Sequence, residues 1–443
     1  MAMMQMRSDA ALTRSRLVAF EPFPAIGTVR KINAGEIEAD GPDVSVGMQC
    51  EIFPDDPQFM PVRALAAAVS GSAVRLVPFG PVGSLKIGDK VRALRHAGLF
   101  GVGDAVAGRA IDALGRPIDG RVLSDLRPGV CEPLAILDRI APNEVVATGL
   151  RAIDGLLTIG KGQRIGIFAA SGVGKTNLIE QIIDCSQFDR AVICQVGERG
   201  REVEALWRRL SQTDKLAQTA LVAATSDEAA PMRARAVDQA LALAGWWRSQ
   251  GEDVLLVVDS ITRLAFALRE IGLVAGEPPT ARAYTPNVFR ELPRIVESCG
   301  AARSGGSITA LFTVLCETDD ADDPLVEAMK SLLDGHIVLA RDLAQVGHFP
   351  AVDVNRSISR LFDSLADPAQ RAAARQCRSW LARYEESKIL IESGIYKPGA
   401  DRDLDTAIAA RGSLSGFLRQ LRDESSEFPA TRDALIALAG AHG

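Results

Sequence analysis

Lys175 and Thr176 close a run of small residues, Ser171-Gly172-Val173-Gly174, which follows the apolar stretch 165–170. After them comes NLIEQIID, apolar at helical spacing. Strand, glycine loop, lysine, hydroxyl and helix in that order make a phosphate-binding loop. Glycines let backbone N–H groups turn inward around a β-phosphate, and the helix N-terminus adds partial positive charge. On this reading Ser171, Gly172, Val173, Gly174, Lys175 and Thr176 bind nucleotide. Lys175 reaches the β- and γ-phosphates, and the Thr176 hydroxyl holds Mg²⁺. The strict pattern begins with Gly; here Ala169 stands first, small enough to keep the loop feasible.

Hydrolysis asks for more: a metal anchor, a positioned water and charge compensation on the γ-phosphate. The apolar run LLVVD ends in Asp259, and a strand's C-terminal end faces the ligand crevice, so Asp259 is expected to bind Mg²⁺ through water. GERGRE, residues 197–202, follows the apolar run AVICQV and should reach the same crevice. Glu198 is the first candidate to orient and deprotonate the attacking water, and Glu202 the second. Arg199 and Arg201 pair with those carboxylates or line a subunit boundary; on spacing alone, a surface salt-bridge loop fits GERGRE as well. Arg360, at the end of SISR, is a candidate for transition-state charge, and Phe349, between His348 and Pro350, for stacking on an adenine ring. An ordinary salt bridge and simple packing are the alternatives for those two.

These residues need a frame to hold them. From Ile26 to about Leu94, short β-prone runs (GTVRKI, EIEAD, MQCEIF, AVRLVPF, DKVRAL) are separated by Gly, Pro and Asp turns, the pattern of a small antiparallel barrel. Between about 160 and 345, RIGIFA, RAVICQV, ALVAATS, DVLLVVD, ITALFTVLC and HIVLA alternate with helical stretches such as VEALWRRLSQ and RAVDQALALAGWWRSQ. That alternation predicts a parallel sheet covered by helices on both faces. Beyond about 366 the β-prone runs stop and helical periodicity takes over. The chain is thus expected to be α/β, with a tail over 1–20, a barrel over 21–95, a phosphate-loop domain over 96–365 and a helical domain over 366–443. The tail mixes methionines with Arg7, Arg14 and Arg16, and reads as a frayed end or a weak amphipathic helix. GVGDAVAG, 101–108, lacks the glycine spacing and the strand–helix setting of a dinucleotide fingerprint.

A net charge of −6 argues against a nucleic-acid protein driven by bulk positive charge. The seven cysteines include no C-x-x-C pair, and the four histidines (96, 336, 348, 442) are widely separated; neither zinc site nor disulfide framework is expected, and a reducing cytosol fits. No apolar run approaches the length of a membrane span.

The set ASGVGKT, GERGRE, DSITRLAFALREIGLVAGEPP, ETDDADDP, SLLDGHIVLARDLAQVGHFPAVDV and SISR closely resembles the ATPases of type III protein export, the flagellum-specific ones first and the virulence-secretion ones next. Both are similar to the catalytic subunit of rotary ATP synthases. The resemblance covers residues 22–440 and implies a RecA-like core in a homohexamer, with Mg-ATP sites between subunits. Carried onto this chain, Lys175 and Thr176 hold phosphate and Mg²⁺, Asp259 acts on the metal through water, and Glu198 is the catalytic carboxylate with Arg199 in its loop. Arg360 becomes an arginine finger lent to the neighbour, and Phe349 the adenine-stacking aromatic. The implied work is unfolding or releasing export substrates at the cytoplasmic face of the inner membrane. The implied partners are a regulator or stator protein at the N-terminus, the export gate and substrate–chaperone complexes, with no nucleic acid; peripheral membrane association stays open. Departures occur at Ala170, Leu268, Thr318 and Lys330, none of which removes a catalytic group. GIYKPGADRDLD replaces the acidic helix-turn by which synthase subunits push their shaft, which favours an export ATPase. The competing readings are a virulence-secretion ATPase, a rotary synthase subunit, a ring RNA helicase and a non-catalytic nucleotide-binding subunit.

Overall fold

A computed structural model of the chain describes residues 26–33, 35–94, 98–130, 132–316 and 323–442. The expected tail over 1–20, His96, Cys131 and most of ETDDADDP, Thr318 included, lie outside them. The chain divides into two compact units: Met1–Gly98 with Val274–Gly276, and Leu99–Leu273 with Glu277–Gly443.

The first unit is a closed barrel of β1 (Ile26–Ile32), β2 (Ile37–Asp40), β3 (Gln49–Phe53), β4 (Val62–Ser70), β5 (Ala73–Pro78) and β6 (Lys90–Leu94), in the order β1-β2-β5-β4-β3-β6. Its short strands alternate: Ile37 and Ala39, Cys50 and Ile52, and Val91 point into one core, while Glu51 and Arg92 face each other across β3 and β6, 2.7 Å apart.

The second unit is built on a sheet whose main path runs through β7 (Ala110–Asp112), β8 (Arg164–Ala169), β9 (Arg190–Glu198), β10 (Thr219–Thr225), β11 (Asp253–Asp259), β12 (Ser307–Leu315), β13 (Gly335–Leu339) and β14 (Val352–Ser359). Their spatial order is β14-β13-β8-β12-β11-β9-β10-β7. All the pairings along it are parallel except β13 with β14. The inner strands are apolar throughout because both faces are covered. On one face Ile165, Ile167, Ile193, Leu255 and Val257 share a core with Leu178, Ile179 and Ile182 of α1 (Lys175–Cys185) and with Val203, Leu206 and Leu210 of α2 (Gly200–Leu210). The intervening Val192, Cys194, Leu256 and Val258 are equally buried, and α3 (Ala230–Ser249) packs on β9, β10 and β11. After β11 comes α4 (Ile261–Ala275).

Two strands differ from the sequence reading. The segment AVAGRAIDALGRPIDG contributes β7, a parallel edge beside β10, while in the rejected GVGDAVAG stretch Gly101 and Val102 end a short strand, Phe100–Val102, and a 3₁₀ turn follows at Asp104–Val106. Ser357 to Ser359 complete the antiparallel strand β14, so Arg360 follows a strand.

Three helices end the chain: α5 (Pro368–Glu392), α6 (Arg402–Leu418) and α7 (Phe428–His442). Asp367 caps the first through the N–H of Gln370 at 2.9 Å, and Asp401 caps the second through the N–H of Leu404 at 3.1 Å. Their inner residues Trp380, Ala410, Leu414, Phe417 and Leu435 belong to the same core as β8 and α1, which is why they fall within the second unit.

Candidate functional site

The loop between β8 and α1 takes the shape its residues dictate. Gly172 and Gly174 adopt φ of 82° and 94°, a region that side chains disfavour. Val173 is buried and pins the loop from below, while Ser171, Gly172 and Thr176 are exposed. Helix α1 opens at Lys175, its first bond running from the N–H of Leu178 to the carbonyl of Gly174 at 3.0 Å.

Parallel pairing brings three more strand ends to this loop. Ala169 is level with Leu315, and Gln195 with Asp259, so the C-termini of β8, β12, β11 and β9 share one edge. Asp259 is buried, ion-pairs with Lys175 and accepts a 2.7 Å hydrogen bond from the Thr313 hydroxyl. Glu198, also buried, has a carboxylate oxygen 4.0 Å from Lys175 Nζ and 3.3 Å from Arg263 Nε. Burial pushes the Glu198 carboxyl above its ordinary value, the Asp259 charge adds to this, and Lys175 and Arg263 pull it back. Two carboxylates and two cations thus face each other out of bulk water. An incoming triphosphate can take Lys175 from the carboxylates, leaving Glu198 to hold a water.

Glu202 differs from Glu198. It sits in the first turn of α2, half-exposed, with Arg199 3.9 Å away. Both line the rim of the cavity of about 570 Å³ that holds Lys175, Thr176, Glu198 and Asp259. Beside it lies a second cavity of about 360 Å³, bounded by Gly174, Gln181, Phe349, Pro350 and Leu421. Phe349 is 44% exposed, and its ring lies 3.4 Å from where a side chain on Gly174 would begin. An aromatic face therefore stands open next to the phosphate loop, where a stacked base could lie.

Arg360 is not in this cluster. Ser359 pairs with Gly335, the first residue of β13, and the N–H of Arg360 bonds the carbonyl of Asp334 at 2.9 Å. Its guanidinium donates to the Lys330 carbonyl at 3.1 Å. Arg360 sits at the N-terminal edge of the parallel strands, about 17 Å along the sheet from the phosphate loop at the rise of an extended strand.

The oxygen donors suit Mg²⁺. Among the described residues no three His, Cys, Asp or Glu side chains converge on one ion position. A nucleotide-bound Mg²⁺ takes most of its ligands from phosphate and water, so one hydroxyl (Thr176) and one carboxylate (Asp259) suffice. The sequence reading missed Arg263, which stands four residues after Asp259 within DSITRLA; its position in the first turn after a crevice-facing strand was the available signal. It also missed Gln420, Leu421 and Arg422, which line the second cavity. Among the described residues no helix is long and apolar enough to cross a membrane.

The nucleotide-binding domain of the ATP synthase alpha/beta family matches residues 149–359, and the T3SS EscN ATPase C-terminal domain matches residues 366–437. The chain is 40% identical to the flagellum-specific ATP synthase of Bacillus subtilis (strain 168), over 95% of this chain and 96% of that protein. It is also 40% identical to the SPI-2 type 3 secretion system ATPase of Salmonella typhimurium, over 90% of this chain and 91% of that one. A solved structure of the assembled ATPase EscN from the enteropathogenic E. coli type III secretion system superposes with a TM-score of 0.88 at 38% identity, over 93% of this chain and all of that one.

Proposed function

Because the chain belongs to the family of flagellum-specific and type III secretion ATPases, we propose that it hydrolyses Mg-ATP at the seams of a homohexameric ring and serves flagellar protein export. The observation that carries the seam is the separation of its parts: Lys175, Glu198 and Asp259 surround one cavity, while Arg360 is held at the far edge of the same sheet. A guanidinium there serves a neighbour's nucleotide, not its own. The assembled state of EscN supports the same arrangement.

In this mechanism the phosphate loop and Lys175 bind the β- and γ-phosphates. Thr176 and Asp259 would hold Mg²⁺, which when bound would neutralise phosphate charge. Phe349 stacks on the adenine. Glu198, ionised, accepts a hydrogen bond from the attacking water and orients it. Arg263 keeps that carboxylate ionised and in place, and Arg199 lines the same cavity. Arg360 of the adjoining subunit completes the site, so turnover depends on assembly. The energy unfolds or releases export substrates. The surrounding partners are a regulator or stator protein at the N-terminus, the export gate and substrate–chaperone complexes, at the cytoplasmic face of the inner membrane.

A virulence-secretion apparatus is the second reading, because identity to the SPI-2 ATPase equals that to the flagellar one. Deleting the gene decides between them: lost motility supports the flagellar assignment, and lost effector secretion with intact motility overturns it. For the chemistry, Glu198→Gln should lower kcat by about 10² to 10⁴ while ATP still binds. Unchanged turnover would remove Glu198 from the mechanism.

A further inference from the structure

The second cavity is closed on one side by the strap between α6 and α7, and the strap is tied to the phosphate-loop helix. The Gln420 N–H donates to the Phe349 carbonyl at 2.8 Å. Gln181, on the second turn of α1, donates to the Leu421 carbonyl at 2.8 Å. The adjacent Glu180 ion-pairs with Arg422. That carboxylate is buried, its side chain only 8% exposed, and it is also 3.4 Å from Arg209 of α2. Arg422 is 55% exposed and lies on the border of both cavities. One buried acid therefore joins three elements: the helix beginning at Lys175, the helix following Glu198, and the strap.

We propose that Glu180 and Arg422 form a latch that holds the strap closed over the base-binding cavity and so sets nucleotide affinity. Both are positioning residues; neither touches the reacting phosphate. The inference rests on the assignment of Phe349's cavity to the base. The physical argument concerns populations. A pocket closed only part of the time binds with an apparent dissociation constant raised by the inverse of the closed fraction. Without the ion pair the strap keeps its backbone hydrogen bonds but opens more often. Glu180→Gln leaves the exposed Arg422 to solvent, and in Arg422→Gln the Glu180 carboxylate keeps Arg209 at 3.4 Å, a cation it shares with Asp184.

The test measures inhibition of the full-length ATPase by ADP and by inorganic tripolyphosphate, for wild type, Glu180→Gln, Arg422→Gln and the double variant. The latch predicts that each single change raises the ADP inhibition constant about two- to fivefold, the range for one partly exposed ion pair. The double variant should be no worse than the weaker single, because both remove the same contact. The tripolyphosphate constant should stay within about twofold of wild type. Additive effects on ADP, no effect on ADP, or an equal loss for tripolyphosphate each overturn the latch; the last would make Arg422 a direct phosphate ligand. Phe349→Ala separates the two layers. If it weakens ADP while the Glu180 and Arg422 effects add, the base cavity stands and the latch falls. If it leaves ADP untouched, the base assignment falls and the latch with it.

Discussion

Two inactive proteins should make an active one when mixed. Lys175→Ala removes the phosphate-binding cation, and Arg360→Ala removes the guanidinium at the opposite edge of the sheet. A lent arginine is worth about 10³ to 10⁵ in rate, so each variant alone should fall to about a thousandth of wild type or less. In a ring with head-to-tail contacts, each seam needs an intact Lys175 on one side and an intact Arg360 on the other. In rings mixed at random from equal amounts, half the protomers have an intact Lys175, and half of their neighbours have an intact Arg360. About a quarter of the seams are then complete, and ATPase activity should return to about a quarter of wild type. The recovery should follow the product of the two fractions, peaking at equal amounts and vanishing at either end. The assay is steady-state phosphate release across mixing ratios, with a tag on one variant to show that mixed rings form. No recovery in rings shown to be mixed refutes the shared seam. So does an Arg360→Ala protein that retains more than about a tenth of wild-type activity by itself.

The remaining predictions concern single titratable groups and their neighbours. Arg263→Gln removes a cation that holds down the Glu198 carboxyl, so the acid limb of the pH–rate profile should move to higher pH, with kcat falling on the order of tenfold to a hundredfold; an unmoved limb would detach Arg263 from Glu198. Burial pushes buried His348 down to about 4 from an ordinary 6.5, the charges of Arg419 and Arg411 acting the same way. The unfolded chain takes up this proton first, so the stabilisation, at most about 3 kcal/mol, is whole above pH 6.5 and lost as pH falls toward 4. Urea midpoints for His348→Gln should accordingly be flatter than wild type between pH 6.5 and 4. The buried Asp154, whose carboxyl rises to about 6 through burial, has the opposite slope, its stabilisation being lost as pH rises from 3.8 through 6. It is common to both proteins and cancels in the comparison; identical slopes would refute the His348 assignment.

Arg263, Glu202 and the strap mark where local sequence ran out. Glu198 and Glu202 stand four residues apart in one motif, and spacing treats them alike. The strand β9 carries Glu198 to its buried last position, whereas α2 starts at Gly200 and turns Glu202 outward. Arg263 is visible as an arginine after Asp259, but its approach to Glu198 depends on β11 lying beside β9. Gln181 and Leu421 are 240 residues apart in the chain, and no periodicity encodes their contact.

By itself the sequence determined that a phosphate loop exists and that Glu198 and Asp259 stand near it. Glycine spacing fixes the loop's backbone, and apolar runs ending in carboxylates become parallel strands whose C-terminal ends share one edge. The barrel, too, was written in the alternation of its short strands. Only the tertiary structure decided which side of the sheet Arg360 occupies. A strand's direction relative to its neighbour is a non-local pairing, and the antiparallel β14 carries Arg360 to the edge of the sheet opposite the phosphate loop.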